Sequence, residues 1–263
     1  MKPRPVHGSV AIIDVDTFIC SYYNVSRLRR RVCSGERPGL QTRWGSVGRS
    51  RWVRFPHASA ISLSGGDTLR CDMCPDKPCR NGDPCVQTDS EKLYVEPEDR
   101  KILVTAAEVE ARYYGLLTRF EEIMEFSRRM GYRKIGIAFC IGMSEEARTA
   151  AEILESEFEV ATVCCKVGGM PKEHFSMPLR TWLGKTSCNP IEQARFLESE
   201  NCDLAVVMGL CVGHDSLFYK WSNIPVTTFV AKDRKLAHNP VAALYCPYLR
   251  NNLSRKPVER PED

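Results

Sequence analysis

Four short apolar runs, each of strand length and each separated from the next by a helical stretch, constrain this chain more than any other feature. They are Lys134 to Cys140 (KIGIAFC), Glu159 to Lys166 (EVATVCCK), Asp203 to Gly209 (DLAVVMG) and Pro225 to Lys232 (PVTTFVAK). Strands apolar on both faces must be covered on both faces, and crossovers of helical length make parallel pairing the default. With right-handed connections, the pattern predicts a doubly wound α/β domain. Its mainly parallel sheet would have about four core strands with flanking helices, the first and third strands adjacent at the centre.

The intervening segments carry helix signals. Val109, Tyr113, Leu116, Leu117, Phe120, Ile123 and Met124 recur at helical spacing and predict one long amphipathic helix ending at Gly131. Ser144, with Glu145 and Glu146 behind it, is read as the cap of a helix running to about Glu157. Asn189-Pro190 is read as the N-cap and first residue of a helix to about Glu200. A short helix through Leu217 and Trp221 follows, and a last helical segment starts near Asn239-Pro240. The predicted divisions are a basic extension (1–70), a cysteine-rich metal-binding knuckle and connector (71–100), the α/β domain (101–249) and a polar tail (250–263).

The net charge of +4 is unevenly spread. Residues 1–70 hold twelve Lys/Arg against four acids, net +8, which leaves 25 against 29, net −4, for the remainder. The first segment mixes Arg, Gly and Ser without a helical or strand period beyond one short strand candidate, Ser9 to Phe18. It reads as a disordered basic extension or a mis-assigned start in preference to an RNA-binding arm using Trp44 and Trp52. Nothing in the main body advertises nucleic-acid binding. No apolar run reaches bilayer length, and Asp14 and Asp16 interrupt the first apolar stretch, so a cytoplasmic protein without a membrane partner is expected. Gly65-Gly66 and Gly168-Gly169 lack the companions of a phosphate-binding loop, so no nucleotide cofactor is predicted.

Thirteen cysteines in such a compartment point to metal or catalysis rather than disulfides. Cys71, Cys74, Cys79 and Cys85, in CDMCPDKPCRNGDPC, have little apolar material to fold around. Thiolate–metal bonds would supply the free energy that a core otherwise provides. Zinc and a four-iron cluster both remain open, because the spacing matches neither a zinc ribbon nor a bacterial ferredoxin.

A second set lies at strand ends. Cys140 closes the first run, Cys164 and Cys165 the second, and Cys211 follows the third in GLCVGHDS; Cys188 precedes the Asn189-Pro190 helix start. Cys164 and Cys165 must face opposite ways, so one of them is available to a shared site. This carboxyl edge is where open α/β sheets bind ligands, beside helix N-termini. Cys140, Cys165, Cys188 and Cys211 could hold a metal or iron–sulfur cluster. Alternatively, one is a nucleophilic thiol such as Cys211, activated by His214 with Asp215 to orient it; or they are ordinary buried cysteines. His238 and Asp233 are further candidates at the same edge, and Cys20, Cys33, Cys202 and Cys246 are read as structural.

FCIG at Phe139 to Gly142, SCNP at Ser187 to Pro190, GLCVGHDSLF at Gly209 to Phe218 and KDR…HNP…ALY from Lys232 to Tyr245 occur in this order. Together with the stretch Thr118 to Gly142 and the knuckle, they resemble a prokaryotic domain-of-unknown-function family described as predicted metal-binding. The resemblance covers about residues 71–248 and implies metal binding without an assigned reaction. Three functions are therefore expected in competition. The first is a metal or iron–sulfur protein with a redox or sulfur-handling role at the strand-end cysteines, served by a small-molecule or redox partner. The second is a non-catalytic zinc-binding sensor or partner-docking module, and the third a thiol-dependent enzyme with a structural zinc knuckle.

Overall fold

The structure, a computed structural model, describes residues 69–84, 86, 88–253 and 255–259. Cys20, Cys33, Cys85, Trp44, Trp52 and the strand candidate Ser9 to Phe18 lie outside the described residues. The chain divides into two units, Met1–Gln87 and Thr88–Asp263.

In the first unit, the described part of the knuckle consists of two short 3-10 turns, Cys71–Met73 and Pro78–Asn81, with no buried residue in either. Lys77, at φ +43°, folds its side chain back so that Nζ donates to the carbonyls of Cys71 (2.8 Å) and Cys74 (3.3 Å). Main-chain polar groups and one lysine organise the loop, because no apolar side chain is available to do so.

The second unit opens with α1 (Pro97–Tyr113) and α2 (Arg119–Met130). The single long helix read from the periodicity is interrupted. Gly115 takes φ +71°, and Thr118 starts a new helix with a capping box to Glu121, so an N-terminal signal interrupts the apolar stripe. The predicted stop at Gly131 is present, with φ +72°.

After α2 come β1 (Lys134–Phe139), α3 (Ser144–Leu154), β2 (Glu159–Cys164), α4 (Pro190–Ser199), β3 (Leu204–Met208), α5 (His214–Trp221) and β4 (Val226–Val230). Two single-turn helices, α6 (Ala242–Tyr245) and α7 (Pro247–Arg250), follow. Ser144 is the first helical residue of α3 and not its cap; its hydroxyl donates back to the Ile141 carbonyl at 2.7 Å. Asn189 caps α4 as read, its Oδ1 accepting from the Glu192 N–H.

The four strands are all parallel, in the order β2-β1-β3-β4, with β1 and β3 adjacent at the centre. This is the doubly wound α/β arrangement. Residues alternate between faces. Ile135, Ile137, Leu204, Val206 and Met208 pack with Ile123 of α2 and Ala147, Ala150 and Leu154 of α3. Ala138, Ala161, Val163, Ala205 and Val207 pack with Ala194 and Leu197 of α4 and Phe218 of α5. Each large side chain fully buried here contributes roughly 1.5–3 kcal/mol. Gly136 allows α4 to approach: a Cβ there would lie 2.9 Å from both Leu197 methyls and 3.1 Å from the Cys202 sulfur. Because the chain leaves β1 toward β2 and then returns past it to β3, the switch point lies between β1 and β3, beside Cys140.

Candidate functional site

Strand register alone brings the first two thiols together. Phe139 is paired with Cys164, so the next position sets Cys140 beside Cys165, and the Cys165 N–H donates to the Phe139 carbonyl at 2.8 Å. By the two-residue period, Cys165 shares the buried face of Ala161 and Val163, whereas Cys164 is half-buried and takes only a 3.5 Å contact from the Lys166 N–H. The chain then makes a long excursion and returns. The Asn189 N–H donates to the Cys165 carbonyl at 2.8 Å, and the sulfurs of Cys188 and Cys165 come to 3.7 Å. Beneath them Gln193, fully buried in the first turn of α4, donates through Nε2 to the carbonyls of Phe139 (3.2 Å) and Val163 (3.0 Å). It ties together the two strand ends that carry Cys140 and Cys165.

The three thiols do not ionise alike. Hydrogen bonding to Cys140 and to Cys188, with Cys165 as the donor, followed by burial, pushes Cys165 far above the ordinary thiol range, so it keeps its proton. Contact with Cys165 and then with His214 lowers Cys188 to about 4 against the cost of burial, with Lys166 adding a favourable charge. Cys140 is lowered to about 5 by Cys165, assisted by the Gly142 N–H and by Lys232. Cys165 has one proton for two sulfur neighbours, so the second thiolate depends on its own cation, His214 for Cys188 and Lys232 for Cys140. The His214 imidazole is raised by its hydrogen bond to Cys188. Cys188 and His214 therefore favour each other's charged forms, and Cys165 behind them favours its neutral form.

The residues read together in GLCVGHDS have separate partners. His214 faces Cys188. Cys211 instead receives a hydrogen bond from the Arg234 guanidinium at 3.0 Å. Asp215 bonds the backbone and not the imidazole: its Oδ1 accepts from the N–H groups of Gly213 (2.9 Å) and Ser216 (2.7 Å) at the start of α5. His238 closes a local turn, its Nδ1 accepting from the Asp233 N–H at 3.1 Å, while Asp233 Oδ1 accepts from Lys235 and Leu236. Cys202 lies apart, its pKa raised to about 11 by burial. Lys166, Lys232, Arg234 and Gln193 were not singled out from the sequence as site residues. Their signal was positional: three follow strand ends, and Gln193 lies three residues into a helix that starts beside Cys188.

The knuckle thiols contrast with these. Cys71 and Cys79 are exposed and Cys74 is half-buried. Among the described residues, no group of three or more His, Cys, Asp or Glu side chains, in the knuckle or at the sheet edge, is arranged to hold a metal ion.

Residues 79–229 match the family model described as "Protein of unknown function (DUF1847)". The chain belongs to the DUF1847 family. The matched span contains Cys140, Cys165, Cys188, Cys211 and His214 and stops short of Lys232 and Arg234. The uncharacterized protein MJ0455 of Methanocaldococcus jannaschii is 44% identical over 189 residues, covering 70% of this chain and 98% of the relative. No solved structure matches the chain. Among the described residues no helix is long and apolar enough to cross a membrane.

Proposed function

We propose that this DUF1847 protein is a thiol-dependent redox or sulfur-handling protein whose working groups are Cys188, Cys165 and His214. The observation that carries the reading is the Cys188–His214 pair with a protonated thiol 3.7 Å behind it. A thiolate is the nucleophile in sulfur exchange, and an adjacent imidazolium both stabilises it and holds a proton for the leaving group.

With a substrate R–S–S–R′, Cys188 Sγ bonds to one sulfur and the S–S bond breaks. R′–S⁻ departs and takes the His214 proton. Capping Cys188 removes the negative charge that had suppressed ionisation of Cys165. The Cys165 sulfur then attacks Cys188 Sγ, forming the Cys165–Cys188 disulfide, and its proton leaves with R–SH. The substrate gains two electrons and the protein dithiol loses two, so an external thiol reductant must restore the dithiol. Such chemistry requires a compartment that keeps thiols reduced, which agrees with the cytoplasmic expectation. Closing the disulfide needs the two sulfurs to approach from 3.7 Å to about 2.05 Å.

A second reading, a single soft metal ion at the same place, is favoured by one observation. Two thiolates on a tetrahedral centre with bonds of ~2.3 Å stand about 3.8 Å apart, close to the Cys165–Cys188 spacing. A four-iron cluster, which ligates each thiolate through a different iron, holds the sulfurs farther apart. The donor chemistry suits zinc, but a third and fourth ligand are not assembled among the described residues.

The two readings separate in one experiment. Anaerobically purified protein is treated with a small disulfide at pH 6, quenched with acid and mapped by mass spectrometry. The thiol reading expects a Cys165–Cys188 linkage. Stoichiometric metal that blocks this linkage and is lost in Cys188→Ser would establish the metal reading instead.

A further inference from the structure

Four basic side chains frame the thiol cluster. Lys232 hydrogen-bonds Cys140, His214 pairs with Cys188, and Lys166 acts on both Cys188 and His214 while its Nζ donates to the Thr186 carbonyl at 2.8 Å. Arg234 lies 3.0 Å from the Cys211 sulfur, and its charge is felt by Cys140 and Cys188 as well. Lys166, Lys232, His214 and Arg234 thus all lie around Cys140 and Cys188.

Among the described residues, carboxylates at this edge form no direct ion pair with Lys166, Lys232 or Arg234. Asp215 and Asp233 spend their Oδ1 atoms on backbone N–H groups. The ion pairs among the described residues all lie elsewhere, and none includes Lys166, Lys232 or Arg234. Arg234 in particular presents a planar fork of donors to a thiol, which is a weak acceptor. A guanidinium is matched far better by a bidentate carboxylate or a similar oxyanion. Support of the thiolates accounts for His214 and Lys232 but leaves the Arg234 fork without a matched acceptor.

We infer that the site takes an anionic disulfide or polysulfide, and that Arg234, with Lys232, is the specificity-determining contact that receives the negative group while Cys188 attacks the sulfur. The inference rests on the thiol reading above and adds the substrate class. On binding, the guanidinium exchanges Cys211 for the anion, at little cost because the contact it gives up is weak. The nucleophile before α4, the proton at the start of α5 and the anion receptor after β4 thereby come from three separate segments.

The test uses two chromogenic disulfides of opposite character, 5,5′-dithiobis(2-nitrobenzoate), which carries two carboxylates, and the neutral 4,4′-dithiodipyridine. Modification of the Cys188 peptide is followed at pH 7 by quenched mass mapping, so that the knuckle thiols do not confuse the rate. Arg234→Gln is expected to slow the anionic probe about tenfold while changing the neutral probe less than about twofold. In the unmodified protein, the anionic rate alone should fall steeply as salt is raised, a readout independent of whether the variant folds well. Equal effects of Arg234→Gln on both probes, or salt-independent rates for both, overturn the anionic-substrate inference and leave the thiol reading standing. Failure of both probes to modify Cys188 overturns the thiol reading itself.

Discussion

Two sets of cysteines in this chain have opposite relations to sequence distance. Cys71, Cys74 and Cys79 lie within nine residues of one another, yet they are exposed or half-buried on short turns without a core. Cys140, Cys165 and Cys188 come from three separate segments, yet register and a backbone hydrogen bond bring them into sulfur contact. Density along the chain is therefore a poor guide to which thiols share protons. Contact at the sheet edge depends on a folded core, whereas the described turns of the knuckle rest on main-chain hydrogen bonds and Lys77 with no buried residue behind them.

The contrast can be broken most decisively at Cys188. Near pH 4.5 an ordinary thiol is almost wholly protonated, while Cys188, lowered to about 4, is mostly ionised. Allowing for the lower intrinsic nucleophilicity of a low-pKa thiolate, it should still alkylate about 100-fold faster than a free thiol. Cys188→Ser should remove that fast phase in iodoacetamide kinetics. A fast phase that maps to the knuckle instead would reverse the comparison.

Next in size is a change in the scaffold alone. Gly209, at φ +64°, turns the chain from β3 toward Cys211, and a Cβ there would lie 2.1 Å from the Met143 sulfur. Gly209→Ala should cost about 2 kcal/mol in urea unfolding, from backbone strain and overpacking together. It should also slow Cys188 modification while leaving Cys71 alkylation unchanged.

His214→Gln sharpens the electrostatic part. Without the imidazolium, half-ionisation of Cys188 should move up by about 1–2 pH units, read from the pH dependence of alkylation. The stability linkage has a definite sign. A thiol lowered on folding contributes stability that is fully present above its unfolded pKa and is lost as pH falls through about 4. The raised His214 contributes below its unfolded value and loses that contribution as pH rises through its folded one. The variant should therefore flatten the dependence of the unfolding midpoint on pH between these limits.

The smallest expected effect lies in the knuckle. Cys74→Ser should lower zinc uptake if the knuckle binds zinc, measured by elemental analysis, yet change the stability of the α/β unit by less than about 0.5 kcal/mol. A large loss of stability in that unit would show that the two cysteine sets are not energetically separate.

Much of the fold was legible from the chain. The four apolar runs became the four strands, and β1 and β3 lie adjacent at the centre as expected. Asn189-Pro190 and Gly131 behaved as the cap and stop that their chemistry predicts. The long first helix did not survive, because the Thr118–Glu121 capping box and Gly115 outweigh a continuous apolar stripe. At the site, the addresses of Cys140, Cys165, Cys188, Cys211 and His214 at the carboxyl edge could be read, but their partners could not. His214 was read with Cys211, three residues before it; the fold gives it to Cys188 instead and gives Cys211 to Arg234.

What the sequence by itself determined about the strand-end cysteines is that they gather at one edge, since the period of a strand and the direction of parallel crossovers are local rules. Which sulfur touches which, which thiol keeps its proton, and that four cations surround them were decided only by the tertiary structure. Those depend on distances of a few ångströms between segments that no sequence period relates.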